Sequence, residues 1–265
     1  MNLEDIIGLG VAGNFAHHLE QAGELKDFEN VVTLEPDAPK GIFPFYVPCG
    51  DTFLGVYPIG TGNLFLPRYE ANAQVEPEIV ILFDIFYNED RTVADLAARK
   101  FTVFNDCTIR KEGAKKISEK KNWGLCSKGI AEKWIEIDQF KKGGVMDHYH
   151  LCSFLKRDGV LHSYGVDAPL LGYSYFYGKL KLWLVDKLNT QKDFGPLEDM
   201  AMLLKKSGYP IQALVSIGAT AYAEFGEKNY LKPDDEIFII AYDKRTQTGD
   251  IQPSKSKIIL HQKVQ

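Results

Sequence analysis

Residues 75–84 read VEPEIVILFD, in which Glu76 and Glu78 run directly into the apolar block Ile79 to Phe83. A block of this composition reads as a strand covered on both faces, and on a strand residues two apart project to the same side. Both carboxylates therefore point one way at the threshold of a core. Uncompensated charge in such a place is costly. Either this end is an exposed sheet edge, which Pro77 permits, or a hard divalent cation accepts both carboxylates.

A third acid, Asp106, ends another apolar strand, FTVFND. The intervening RTVADLAARK has the spacing of a short amphipathic helix, which would bring the two strands side by side. Three carboxylates with waters completing an octahedron describe a Mg2+ or Mn2+ site left open to an oxygen-rich substrate.

Further glycine and histidine signals lie near the N-terminus. A short strand over residues 3–7 leads into Gly8, Gly10 and Gly13, spaced G-x-G-x-x-G, with a helix predicted from about Asn14 to Ala22. The stretch NVVTLE, ending at Glu35, extends the likeness to a dinucleotide-binding unit. After Glu35, however, the chain turns to a Pro- and Gly-rich β region without a crossover helix, so a dinucleotide-binding oxidoreductase ranks third among the functional readings. The bland reading is that the glycines permit a tight turn.

At 265 residues the chain is long enough for one full core, and no repeat or low-complexity linker divides it, so 1–265 reads as a single domain. Helices are expected in YFYGKLKLWLVDKLN and LEDMAMLLKKSG, strands in ALVSIGATAY and DEIFIIAYD, and a loosely held polar tail after about residue 246. The class is α+β with many strands. A net charge of −5 with both signs interspersed excludes a basic stripe, so nucleic acid is not an expected partner. No apolar stretch is long enough for a membrane span, Glu4 and Asp5 stand where a secretory signal would be basic, and a cytoplasmic location is expected. The four cysteines have no paired spacing and read as free thiols.

The order of these pieces resembles the fumarylacetoacetate hydrolase superfamily. NFAHHLEQ matches its N-Y-x-x-H-x-x-E segment through Asn14, Phe15 and His18; Glu76 and Glu78 match its E-x-E. Asn105, Asp106 and Arg110 match its N-D-x-x-x-R. KKNWGLCSKG aligns Lys120, Cys126 and Gly129 with the family's lysine segment, which leaves Lys121 pointing elsewhere. The closing SIGATAY and LKPDDE are similar to its glycine-threonine loop and L-K-P-G-D turn. Four departures stand out: Gln21 replaces the family glutamate, although Glu20 is adjacent and three residues after His17; FPFYVP lacks an entrance lysine; Trp123 replaces an aspartate; and SIGATAY alters the T-G-T-P loop, which shifts or removes a substrate-contacting hydroxyl.

What the resemblance implies is a rolled, strand-rich mixed sheet with a few peripheral helices, usually paired into a homodimer. It implies a Mg2+ or Mn2+ ion on Glu76, Glu78 and Asp106, and a small 2-oxo or β-diketo acid as substrate. The expected reaction is C–C bond hydrolysis through a metal-bound enolate. His18 or His17 with Glu20 would activate water, and Lys120 would meet developing negative charge. Asn14, Arg110, Gly218 and Thr220 would line the substrate. Hydration, decarboxylation or tautomerisation at the same site is the alternative reaction, and a non-catalytic metabolite-binding protein of this fold the alternative class.

Overall fold

In the computed structural model the apolar run beginning at Pro77 becomes a central strand with neighbours on both sides. The structure describes residues 2–15, 18–21, 23, 28–33, 35–111, 113–247, 250, 251, 253 and 258–265, the side chains of His18 and Leu19 excepted. The first half of the chain contains β1 (Ile7–Ala12), α1 (His18–Gln21), β2 (Gly41–Tyr46), β3 (Ile59–Gly60), β4 (Asn63–Leu64), β5 (Ala73–Gln74), β6 (Pro77–Tyr87), β7 (Val93–Asn105), β8 (Thr108–Ile109), α2 (Ser118–Lys121) and β9 (Lys128–Ile130). The second half contains β10 (Ile135–Glu136), β11 (Tyr149–Arg157), β12 (Val160–Pro169), α3 (Tyr177–Thr190), α4 (Met200–Lys206), β13 (Gln212–Ser216), α5 (Glu224–Lys228), β14 (Glu236–Asp243) and β15 (Ile258–Val264).

The larger sheet runs β2-β1-β13-β6-β7-β9-β3, with β10 on β7; the smaller runs β12-β11-β14-β15-β4, and β5 pairs with β8. Parallel pairs (β1 with β13, β3 with β9, β15 with β4) are mixed among antiparallel ones. This is the α+β, strand-rich mixed sheet expected from the sequence. Ile79, Ile81, Phe83 and Ile85 of β6 pack into the main core with Leu151, Leu155, Ile237 and Ile239 of the smaller sheet. Val80 and Leu82 face the other way, against Phe45, Phe104 and Leu214. A strand covered on both faces has no need of alternation, which is why the run is continuous. No helix among the described residues is long and apolar enough to cross a membrane.

Three local expectations are corrected. RTVADLAARK is not a helix: from Val93 on it is the first half of β7, paired with β6 from Tyr87↔Val93 to Pro77↔Asn105. The connection is a tight turn in which Asp90 accepts the Thr92 backbone N–H and hydroxyl. Long-range pairing overrides alanine's helix propensity here. The polar tail is likewise not loose at its end, because the alternation of IILHQKV buries Ile258, Leu260, Gln262 and Val264 when β15 adds to β14.

The glycines are the third correction. Gly8 and Gly10 lie inside β1. A Cβ on Gly8 would sit 2.2 Å from Phe45 Cε2, and one on Gly10 2.2 Å from Phe43 Cζ. Their absent side chains let the aromatic rings of β2 lie across β1. They form no phosphate-binding turn, and the dinucleotide reading loses its structural basis.

Candidate cation and active site

The β6–β7 hairpin puts its own two ends together. With Pro77 opposite Asn105, the acids before and within the start of β6 meet the acid just beyond β7, and the Asp106 N–H donates to the Glu76 carbonyl at 2.9 Å. One carboxylate oxygen from each of Glu76, Glu78 and Asp106 lies within 4.8 Å of the others. Oxygens sharing one ion at about 2.0–2.6 Å can be no farther apart than about 5 Å, so this hard-oxygen donor set fits a divalent cation. All three acids are buried, which overturns the alternative of an exposed sheet edge.

Positive charge is already built in. Lys121 Nζ donates to Glu76 Oε2 and, at 2.7 Å, to Asp106 Oδ2. Lys128 Nζ lies 3.0 Å from Asp106 Oδ1, and Arg110 Nη2 lies 3.2 Å from Glu76 Oε1. Glu78 instead accepts the Gly218 N–H at 2.9 Å. Burial raises the Glu78 carboxyl well above the usual range; Asp106 and Glu76 add to this, while Lys121 and the Gly218 N–H oppose it. Burial likewise lowers the Lys128 ammonium, against the pull of Asp106. Cys107, whose carbonyl Lys128 also binds, has a thiol pushed up to about 12 by burial and is inert as a nucleophile.

The predicted site residues fall into distinct places. Asn14 is fully buried, with its amide donating to the carbonyls of Tyr175 and Ile217 and accepting from Tyr175 N–H, so it staples the β1 turn to two other segments. Gly218 has φ +111, beside Asn14, and its carbonyl accepts the Tyr173 hydroxyl. That backbone shape aims the Gly218 N–H at Glu78, and a side chain there would be strained. Thr220 is buried, with its N–H on the Pro77 carbonyl at 3.2 Å. Arg110 also donates to Gln74 at 2.8 Å and the Tyr222 hydroxyl at 2.9 Å, which fixes the guanidinium beside Glu76.

On α1, Glu20 is exposed, whereas Gln21 exchanges two hydrogen bonds with the Tyr222 backbone. His17 and the His18 side chain lie outside the described residues. Lys120 is buried on α2, but the expectation that Lys121 points elsewhere is overturned, since Lys121 holds two of the carboxylates. Sequence reasoning also missed Lys128 and Gln262, and named Asn105 only as part of the N-D-x-x-x-R match. Gln262, on the last strand, accepts from Asn105 and donates to the Asn63 and Lys128 carbonyls. A Cβ on Gly129 would lie 2.2 Å from Gln262 Oε1, so the glycine beside Lys128 is what admits this brace.

A cavity of about 20 Å3 adjoins Glu76, Glu78 and Lys121, walled by Phe28, Phe43 and Ile117. That is room for about one water.

Solved structures with the same architecture include Cg1458 bound to an inhibitor (TM-score 0.58, 14% identical, covering 97% of this chain and 76% of that one). A yeast fumarylacetoacetate hydrolase family protein superposes with TM-score 0.57 at 13% identity, covering 99% and 94%. The 5-carboxymethyl-2-hydroxymuconate delta-isomerase of Mycobacterium smegmatis gives 0.52 at 14%, covering 97% and 78%. The fold is thus of the fumarylacetoacetate hydrolase type. No curated protein matches the sequence. A family model does match residues 24–263, and by that match the chain belongs to the family of unknown function DUF5718.

Proposed function

We propose that this chain is an enzyme acting on a small 2-oxo or β-diketo carboxylic acid, with Mg2+ or Mn2+ held by Glu76, Glu78 and Asp106 and with C–C bond hydrolysis as the reaction. The observation that carries the reading is the buried carboxylate triad beside a cavity, on this fold. A divalent ion there supplies Lewis-acid stabilisation of negative charge on a substrate oxygen.

The chain's own groups do the rest. Arg110 and the Gly218 N–H hold Glu76 and Glu78 in place, so the donor oxygens are set before a ligand arrives. Phe28, Phe43 and Ile117 give the cavity an apolar wall, and a less polar surrounding strengthens the charge interactions inside it. The cluster of basic groups suits an anionic substrate. Isomerisation at the same site is the second reading, favoured by the fold neighbour described as a delta-isomerase.

Thermal unfolding with MnCl2, oxalate and both together tests the site. The Tm should rise most with both, because oxalate presents two adjacent oxygens to a bound ion, and Glu78→Gln should abolish the joint rise. Absence of any Mn2+-dependent shift in the native chain rejects the reading. Turnover of short acylpyruvates then separates hydrolysis from isomerisation by whether a cleaved acid is released.

A further inference from the structure

The inference concerns Lys121 and rests on the metal reading above. Its ammonium is bonded to Glu76 Oε2 and Asp106 Oδ2 and lies 3.5 Å from the Asp106 carbonyl, on two of the three carboxylates that a metal ion would share. The Phe43 ring lies 5.1 Å away on another side. Among the described residues Arg110, Lys121 and Lys128 each lie against Glu76 or Asp106, so these two carboxylates already have cationic partners with the ammonium in place.

Adding a doubly charged ion to the same buried carboxylates would set two cations against each other in a nearly dry setting, where repulsion is strong. The adjoining cavity, about 20 Å3, leaves room for about one water beside the ammonium. The backbone around Lys121 is pinned. Lys116 Nζ donates to Asp193 and to the Gly195 and Leu197 carbonyls before it, and Asn122 Nδ2 to the Phe45 and Val56 carbonyls after it. Movement is therefore left to the four-carbon stem of the side chain.

We propose that Lys121 is a built-in counter-cation exchanged for the metal: a divalent ion takes its place on Glu76 and Asp106 only as the ammonium swings out. Lys121 is then a positioning residue that holds the carboxylates together when no ion is bound and sets the metal affinity by competing for them.

Mn2+ titration followed by electron paramagnetic resonance, on the full chain stripped with EDTA, tests this. Lys121→Met should bind Mn2+ about 10-fold tighter or more than the native chain, since a competing buried ion pair has been removed. Glu78→Gln should bind it weakly. Equal or weaker binding by Lys121→Met, with Glu78→Gln still impaired, overturns the exchange and leaves the metal reading standing. No Mn2+ binding by the native chain or by Lys121→Met overturns both. Should Lys121→Met not fold, acetylation of the native chain read by mass spectrometry decides. Saturating MnCl2 should raise labelling of Lys121 several-fold and leave exposed Lys228 unchanged, and unchanged Lys121 labelling overturns the exchange.

Discussion

Lys121 meets Asp106 at 2.7 Å, and Lys228 meets Glu224 at the same 2.7 Å. The side chains of the first pair are 3% and 0% exposed, those of the second 65% and 83%. Equal lengths conceal different energetics. The exposed pair exchanges one set of water contacts for another, is screened by salt and must order two flexible side chains. In the buried cluster each charge has lost its water, so removing one member strands the others. Distance identifies a pair; desolvation decides what depends on it.

The largest effect that sharpens this contrast should come from Lys128→Met. Both partners in the Lys128–Asp106 pair are fully buried, and the substitution leaves the triad short of one counter-charge. A loss of about 3–5 kcal/mol in urea unfolding without metal is expected. Added MnCl2 should return part of it if the triad accepts the ion. A loss below about 1 kcal/mol would mean that water reaches the cluster, and the contrast with the surface would fail.

An intermediate case is Glu198, which accepts from Ser118 Oγ and whose Oε2 is buried without a hydrogen bond among the described residues. Burial pushes its carboxyl from 4.5 up to about 7, despite Ser118 and Lys116. Because the folded state holds this proton more tightly than the unfolded chain, stability should fall as pH rises from about 4.5 to about 7 and level off above. Glu198→Gln should remove that fall, worth about 1–3 kcal/mol across the window. Identical slopes for native and substituted chains in pH-dependent urea unfolding would refute it.

The smallest effect belongs to the surface. Lys228→Ala should leave Tm unchanged within error at 0.15 M salt, because the pair joins adjacent turns of an exposed helix. A clear drop in Tm would show that α5 depends on that contact, and exposure would no longer separate the two classes.

Much of the architecture was legible in local pattern. The apolar run of β6 announced a strand buried on both faces, the stretch YFYGKLKLWLVDKLN announced α3, and E-x-E with a distant N-D marked the acids that the hairpin joins. These readings depend on near neighbours in the chain, where side-chain direction follows from backbone geometry alone. RTVADLAARK defeated the same logic. Its alanines suit a helix, and only the register with β6, closed by the Asp90 turn, makes it a strand.

The sequence by itself marked the residues that gather in the buried charged cluster: Glu76, Glu78, Asp106 and a lysine-rich stretch just after them. Tertiary structure alone decided which lysine reaches the acids. Lys120 and Lys121 are adjacent and identical in type, and about 100° of helix rotation separates their directions. The choice is made by where α2 is pinned, through Lys116 to the 193–197 loop and through Asn122 to the Phe45 and Val56 carbonyls. It is made again by Gln262, which reaches Lys128 from a strand more than a hundred residues away. No local pattern encodes such contacts, because their geometry exists only once distant segments have packed and water has been driven out from between them.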